Sequence, residues 1–181
     1  MAYQGNLKYF ILTNEEKNPL LQIMNVNQSI DVRKLNRKEY QNMPSYVLLN
    51  AKLGIDGIFP DIIEKPVFLL SRAAMEVIGL YDSNIPFLFF VLFDTDKEEC
   101  ASYFSPVLEE EDCLAQKPGP GQRELILDRS KMRGTPLFRV RVGAENMIVI
   151  RMDLAESLLE RNIIGLELKE ICLIDGAFNR V

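Results

Sequence analysis

The chain alternates between short blocks of apolar residues at strand spacing and two blocks at helical spacing. "LKYFILT" (7–13) is rich in aromatic and β-branched residues and predicts a strand. "LLQIMNV" (20–26) is expected to pair with it across a turn punctuated by Asn18 and Pro19. "DVRKLNRKEYQN" (31–42) is polar and basic, and reads as a loop with a short helix. "SYVLLN" (45–50) predicts a further strand, whereas residues 51–66 carry two glycines and two prolines and predict irregular structure. "VFLL" (67–70) is a short buried strand. Ser71 after it can accept a free amide hydrogen of a first helical turn. Ala74, Val77, Ile78 and Tyr81 then recur at helical spacing, and Asn84 and Pro86 end the helix.

"IPFLFFVLF" (85–93) does not alternate. In a strand, Phe87, Phe89, Val91 and Phe93 point one way, and Leu88, Phe90 and Leu92 the other. A strand apolar on both sides is expected to be central and covered on both faces, with the charges of "DTDKEE" as gatekeepers at its end. "CASYFSPVL" (100–108) is the next strand, with Pro106 near its end. "QKPGPGQ" (116–122) is a loop, "RELILD" (123–128) a strand and "RSKMRGTP" a turn. "LFRVRVG" (137–143) alternates, with Phe138, Val140 and Val142 inward and Arg139 and Arg141 outward. "NMIVIRM" (146–152) forms a hairpin with it across "GAEN". "DLAESLLERNI" is a helix whose Asp153 and Glu156 have the spacing of a capping box and whose apolar side is Leu154, Leu158 and Leu159. "GLELKEICLID" (165–175) is the closing strand and "GAFNRV" a frayed tail. The sum is an α+β fold of mostly antiparallel sheet, with about eight to ten strands and two short helices. At 181 residues a single domain over 1–181 is expected, with residues 1–65 a candidate N-terminal subregion.

Composition narrows the function. Hydrophobic residues make up 48% and charged residues 26%, which suits a packed globular core rather than a disordered chain. A net charge of -5 argues against nucleic acid as a partner, because phosphate binding calls for a basic surface. The longest apolar run is nine residues, where a membrane-spanning helix needs roughly 20. The start shows no leader pattern, and Cys100, Cys113 and Cys172 have no CxxC spacing. We therefore expect reduced thiols in a cytoplasmic protein with no membrane partner.

Candidate chemistry is sparse. The absence of histidine removes Ser–His and Cys–His pairs and the commonest transition-metal ligand. No phosphate-cradling glycine motif and no zinc-type cysteine pair occur, so no cofactor and no metal are expected. Charge placement says more. Residues 94–112 carry eight acids (Asp94, Asp96, Glu98, Glu99, Glu109, Glu110, Glu111 and Asp112) and one base, Lys97, a net of -7. Residues 114–151 carry eight bases and three acids, a net of +5. Two explanations stand: compensation between neighbouring strands, or an acidic patch that steers a basic partner. On a strand over 100–108 the two acidic clusters lie at opposite ends, roughly 30 Å apart at about 3.3 Å per residue. The eight acids are the candidate partner-binding residues; no catalytic residue is expected.

"YFSPVLEEEDCL" (103–114), "ELILDRSKMRGTPLFRV" (124–140) and "IVIRMDLAESLLERNIIGLELKEI" (148–171) together resemble a bacterial immunity-protein family, the eleventh in the polymorphic-toxin immunity series, earlier described as a domain of unknown function. Tyr103, Pro106, Asp112, Cys113, Leu114, Phe138, Arg151, Asp153, Glu156, Ser157, Gly165 and Leu166 carry the resemblance, and "KYFILTN" resembles the family's start. The resemblance covers the C-terminal half best and residues 30–65 poorly. Its motifs are structural. Asp153 is expected as a helix cap, Ser157 on a helix face, Arg151 as a strand-end ion-pair partner, and Gly165 at a helix end with positive φ.

The resemblance implies a non-enzymatic cytoplasmic protein that binds a cognate toxin and occludes its active site. The toxin's identity stays open, and the acidic patch points to a basic one such as a nuclease. Two other readings compete. One is a regulatory or assembly module that binds a protein other than a toxin. The other is a carboxylate-based enzyme, which calls for acids such as Asp96 and Asp112 to converge in a pocket.

Overall fold

The computed structural model describes residues 7–13, 21–116 and 125–176. In chain order the strands are β1 (Tyr9–Thr13), β2 (Leu21–Ile23), β3 (Tyr46–Leu53), β4 (Ile62–Ile63), β5 (Leu69–Leu70), β6 (Phe87–Asp94), β7 (Glu99–Pro106), β8 (Ile126–Asp128), β9 (Leu137–Val142), β10 (Glu145–Arg151), β11 (Glu167–Glu170) and β12 (Cys172–Ile174). The helices are α1 (Val26–Ser29), α2 (Arg72–Tyr81) and α3 (Met152–Glu160). The fold is α+β. Six strands form one sheet in the order β2-β3-β6-β7-β5-β4, four form a second in the order β11-β1-β10-β9, and β8 and β12 pair separately. Pairing is antiparallel except for β3 with β6 and β8 with β12.

The run at 85–93 does become a central strand, hydrogen-bonded to β3 on one side and β7 on the other. Its two faces differ. Leu88, Phe90 and Leu92 are buried against β3 and β7 and are roofed by Val26, Ile30 and Leu35 of the segment that holds α1. Phe89 and Val91 on the opposite face are only half-buried, and Phe93 is 41% exposed. The expected cover on both sides is therefore incomplete. α2 covers that outer face only at the β5 end, where Leu70 packs with Ala74, Val77 and Ile78.

The core joins the two large sheets. Leu12, Leu137, Ile148 and Ile150 of the four-stranded sheet share one buried cluster with Ile62 and Leu70 of the six-stranded sheet and with α2 and α3. Behind the four-stranded sheet, Tyr9, Phe138, Val140 and Val149 pack on Leu125, Leu127 and Cys113. Ser71 caps α2 as expected, its hydroxyl accepting from Ala74 N at 3.2 Å. The β9–β10 hairpin also forms, with Gly143 at φ +63 in the turn and Val142 opposite Glu145.

Several expectations are corrected. β2 pairs with β3 and not with β1, which lies between β10 and β11. Asn18 and Pro19 lie outside the described residues, as does most of the expected loop at 116–122 and of the tail at 176–181. α3 starts at Met152, so Asp153 sits inside the first turn, and no side chain caps the helix. Arg151 holds Asp153 instead, through two hydrogen bonds of 2.8 Å. Leu159 is 52% exposed, and Ala155 takes its expected place in the core. Ser157 meets the Tyr81 hydroxyl at 2.6 Å, which ties α3 to α2. The left-handed residue just after α3 is Asn162, at φ 54. Gly165, at φ +89, serves a close approach: a Cβ there would lie 2.6 Å from the Ile62 carbonyl oxygen. The closing strand is split at buried Ile171, whose amide donates to the Tyr9 carbonyl, so β11 and β12 belong to different sheets.

Candidate functional site

The eight acids fall at the two ends of β7, and the two groups are used differently. At the first end, Asp94 closes β6 and is 1% exposed. Its carboxylate accepts from Leu53 N at 2.6 Å, Asp96 N at 2.9 Å and Lys97 N at 3.2 Å. These amides, that of Leu53 foremost, hold the Asp94 carboxyl below its ordinary pKa. The arrangement pins the end of β3 to the β6–β7 turn. Lys97 reinforces it by donating to the Gly54 carbonyl at 2.6 Å. Asp96 lies 3.5 Å from Lys52, both exposed. Glu98, at φ 55, and Glu99 are exposed, with no cation paired to them among the described residues.

At the second end the acids are largely spent internally. Glu109 pairs with Arg37 at 3.3 Å and Glu110 with Arg141 at 3.2 Å. Glu111 is 3% exposed and accepts from Thr135 Oγ1 at 2.5 Å and Arg133 N at 3.2 Å. Asp112 is exposed. Burial removes Asp94 and Glu111 from the surface a partner could reach, which corrects two of the eight candidates. Their carboxylates are needed by backbone amides and a hydroxyl that would otherwise be buried without acceptors.

Arg139 was expected outward, yet it is half-buried. Its Nη1 donates to the Leu35 carbonyl at 3.0 Å and its Nη2 to the Leu108 carbonyl at 3.1 Å. Burial lowers its pKa. It stands between two clefts of about 710 and 630 Å³, both also lined by Val32, Leu108 and Asn146. The smaller cleft holds Arg37, Arg141, Glu109 and Glu110, the paired groups just described. Asp96 and Asp112 line neither cleft and sit beyond opposite ends of β7. Among the described residues no group of three Cys, Asp or Glu side chains could hold a metal ion. The three cysteines are free; Cys113 is buried, and burial pushes its thiol up to about 11.

The feature that charge counting misses is apolar. Register places Tyr46 of β3 beside Phe89, and Phe89 beside Phe104 of β7. Leu48 lies beside Val91, and Asn50 beside Phe93. Directly opposed residues share a face, so Tyr46, Leu48, Phe89, Val91, Phe93 and Phe104 form one continuous outer surface. Tyr46 is 55% and Leu48 57% exposed. The Phe89 and Phe104 rings lie 5.5 Å apart, and the Arg72 guanidinium sits 5.5 Å over Phe104. At the far end this surface meets Lys52, Asp96 and the β6–β7 turn.

No protein-family model matches the chain, and no curated protein matches it. Neither comparison supports the resemblance to the immunity family, whose carrying residues can still be placed in the fold. Of these, Tyr103 is buried with its hydroxyl on the Pro60 carbonyl at 2.5 Å, and Phe138 and Cys113 lie in the core behind the four-stranded sheet. They hold the fold together and contribute no reactive surface. Among the described residues no helix is long and apolar enough to cross a membrane.

The missed surface left one signal in the sequence. "YVLLN" and "FLFFVLF" are apolar at every position but Asn50, so alternation could not say which face is covered. Only the packing of residues 26–35 against one side decides it.

Proposed function

We propose that this chain is a non-catalytic immunity protein that binds a cognate bacterial toxin in the cytoplasm and neutralises it by covering its active site. The observation that carries this reading is the open apolar sheet face of Tyr46, Leu48, Phe89, Val91 and Phe93. A large exposed apolar surface with a polar rim is the usual mark of a protein-binding site. The exposed acids Asp96, Glu98, Glu99 and Asp112 at the two ends of β7 favour a basic toxin, such as a nuclease. Three unpaired thiols suit a reducing compartment.

The test is co-expression with the product of the neighbouring gene, read as growth and as heterodimer on a sizing column. Rescue of growth together with a stable complex is the expected result. A complex without toxicity or rescue would support a regulatory or assembly module instead. Rescue without a complex would contradict occlusion.

A further inference from the structure

We propose that the chain carries a small-molecule site where the two clefts meet at Arg139, and that its ligand is an organic carboxylate with an apolar body. Such a site is separate from the open sheet face and does not depend on toxin binding. Register sets Leu137 opposite Ile150, Arg139 opposite Ile148 and Arg141 opposite Asn146. Leu137, Ile148 and Ile150 on this face are buried in the core shared with Ile62 and Leu70 of the six-stranded sheet. Arg139 and Arg141 continue the same face, so the packing between the sheets opens into the clefts at Arg139. The larger cleft, about 710 Å³, has walls that include Ile23, Val32, Leu35, Phe68, Pro106 and Ile148. The smaller is polar, with Arg37, Lys38 and Arg141 among its cations. Small-molecule sites are commonly clefts of roughly 300–1,000 Å³ with mostly apolar walls and a few polar groups that fix orientation.

Arg139 supplies the polar anchor. The Leu35 and Leu108 carbonyls hold its guanidinium in place but give its charge no counter-ion. The nearby carboxylates of Glu109 and Glu110 are in contact with Arg37 and Arg141 instead. Among the described residues Arg139 is therefore in no ion pair, and its Nε is buried without an acceptor. A half-buried cation held by carbonyls alone is costly, and a carboxylate matches the guanidinium fork and neutralises it. Glu64 and Glu145 also line the larger cleft and disfavour a dianion, so a carboxylate suits the site better than a phosphate. The carboxylate sits at Arg139, and the apolar body runs along the walls of the larger cleft.

The test is calorimetric titration of the full chain with decanoate, below its micellar concentration, and with phenylbutyrate. Decanol keeps an apolar body without the charge, and inorganic phosphate keeps charge without an apolar body; both are titrated for comparison. Asn146→Glu sets a negative charge at an exposed position that lines both clefts, and Arg139→Gln removes the anchor. Leu48→Lys, on the open sheet face, is the control for binding at that surface. The expected result is a single carboxylate site, weakened at least about tenfold in both cleft variants and unchanged in Leu48→Lys. Should Arg139→Gln lower the unfolding midpoint, Asn146→Glu alone decides. Binding of neither carboxylate, or wild-type affinity in Asn146→Glu, would overturn the site. Decanol binding as tightly as decanoate would overturn the anchoring role of Arg139, and phosphate binding as tightly would overturn the apolar body. A loss in Leu48→Lys would move the ligand to the open face and overturn the cleft.

Discussion

The two faces of β6 are made from the same kinds of residue and have opposite fates. Phe90 and Leu92 have no exposed surface, whereas Phe93, next to Leu92, is 41% exposed. The difference lies in what the rest of the chain lays over each side. Residues 26–35 close the inner face, and α2 stops short on the outer one. The acids show a parallel contrast. Glu109 and Glu110 neutralise arginines of the same chain, while Glu98 and Glu99 are exposed at the β6–β7 turn with no paired cation among the described residues. Apolar content and charge count alone do not separate a surface used for folding from one left for a partner.

The contrast between faces can be broken by substitution. The largest effect is expected from Phe90→Ala, which empties a fully buried site and should cost about 3–5 kcal/mol in a urea titration. Glu111→Ala comes next, because it strands the Thr135 hydroxyl and the Arg133 amide; a loss of about 1–3 kcal/mol is expected. Tyr103→Phe removes the hydrogen bond to Pro60 and should cost about 1 kcal/mol by the same measurement. Leu48→Ala, on the open face, should change stability by no more than about 0.5 kcal/mol. A large loss from Leu48→Ala would mean that the outer face belongs to the folding core.

Acid sharpens the same comparison. Asp94, Asp128 and Asp153 all have carboxyl pKa values held below the ordinary one: Asp94 chiefly by the Leu53 amide, Asp128 by Ser130 and Asp153 by Arg151. In the unfolded chain these groups take up protons near pH 4, before the native carboxylates do. Their contribution to stability is therefore present above about pH 4 and is lost as pH falls through the depressed folded values. Urea midpoints should be level from pH 7 to about pH 5 and drop below pH 4, and Asp94→Asn should shrink the drop. An unchanged drop in that variant would show that the carboxylate at the β6–β7 turn is not a source of it.

Much of the fold was legible because local patterns and packing agree. Ser71 reads as a cap and acts as one, and "LFRVRVG" and "NMIVIRM" form the expected hairpin. What failed needed long-range information. β2 left its sequence neighbour β1 for β3, a choice that local spacing does not encode. Arg139 alternates outward by pattern, but residues 35 and 108 happen to lie over it. The acidic candidates were legible as charge, yet the buried Asp94 and Glu111 carboxylates accept from Leu53 N, Arg133 N and Thr135 Oγ1, donors 22 or more positions away, alongside the local amides of Asp96 and Lys97 at Asp94. The open apolar face was the least legible, since a run that is apolar on both sides carries no signal of which side stays open.

One thiol reports on that face directly. Cys100 lies on β7 opposite Phe93 and is exposed, Cys172 is exposed on β12, and Cys113 is buried. Alkylation rates of Cys100 and Cys172 should be measured in the free chain and in its complex with the neighbouring gene's product. Docking on the outer face predicts that Cys100 becomes markedly slower while Cys172 keeps its rate. An unchanged Cys100, or protection of Cys172 alone, would place the partner elsewhere and contradict the assignment.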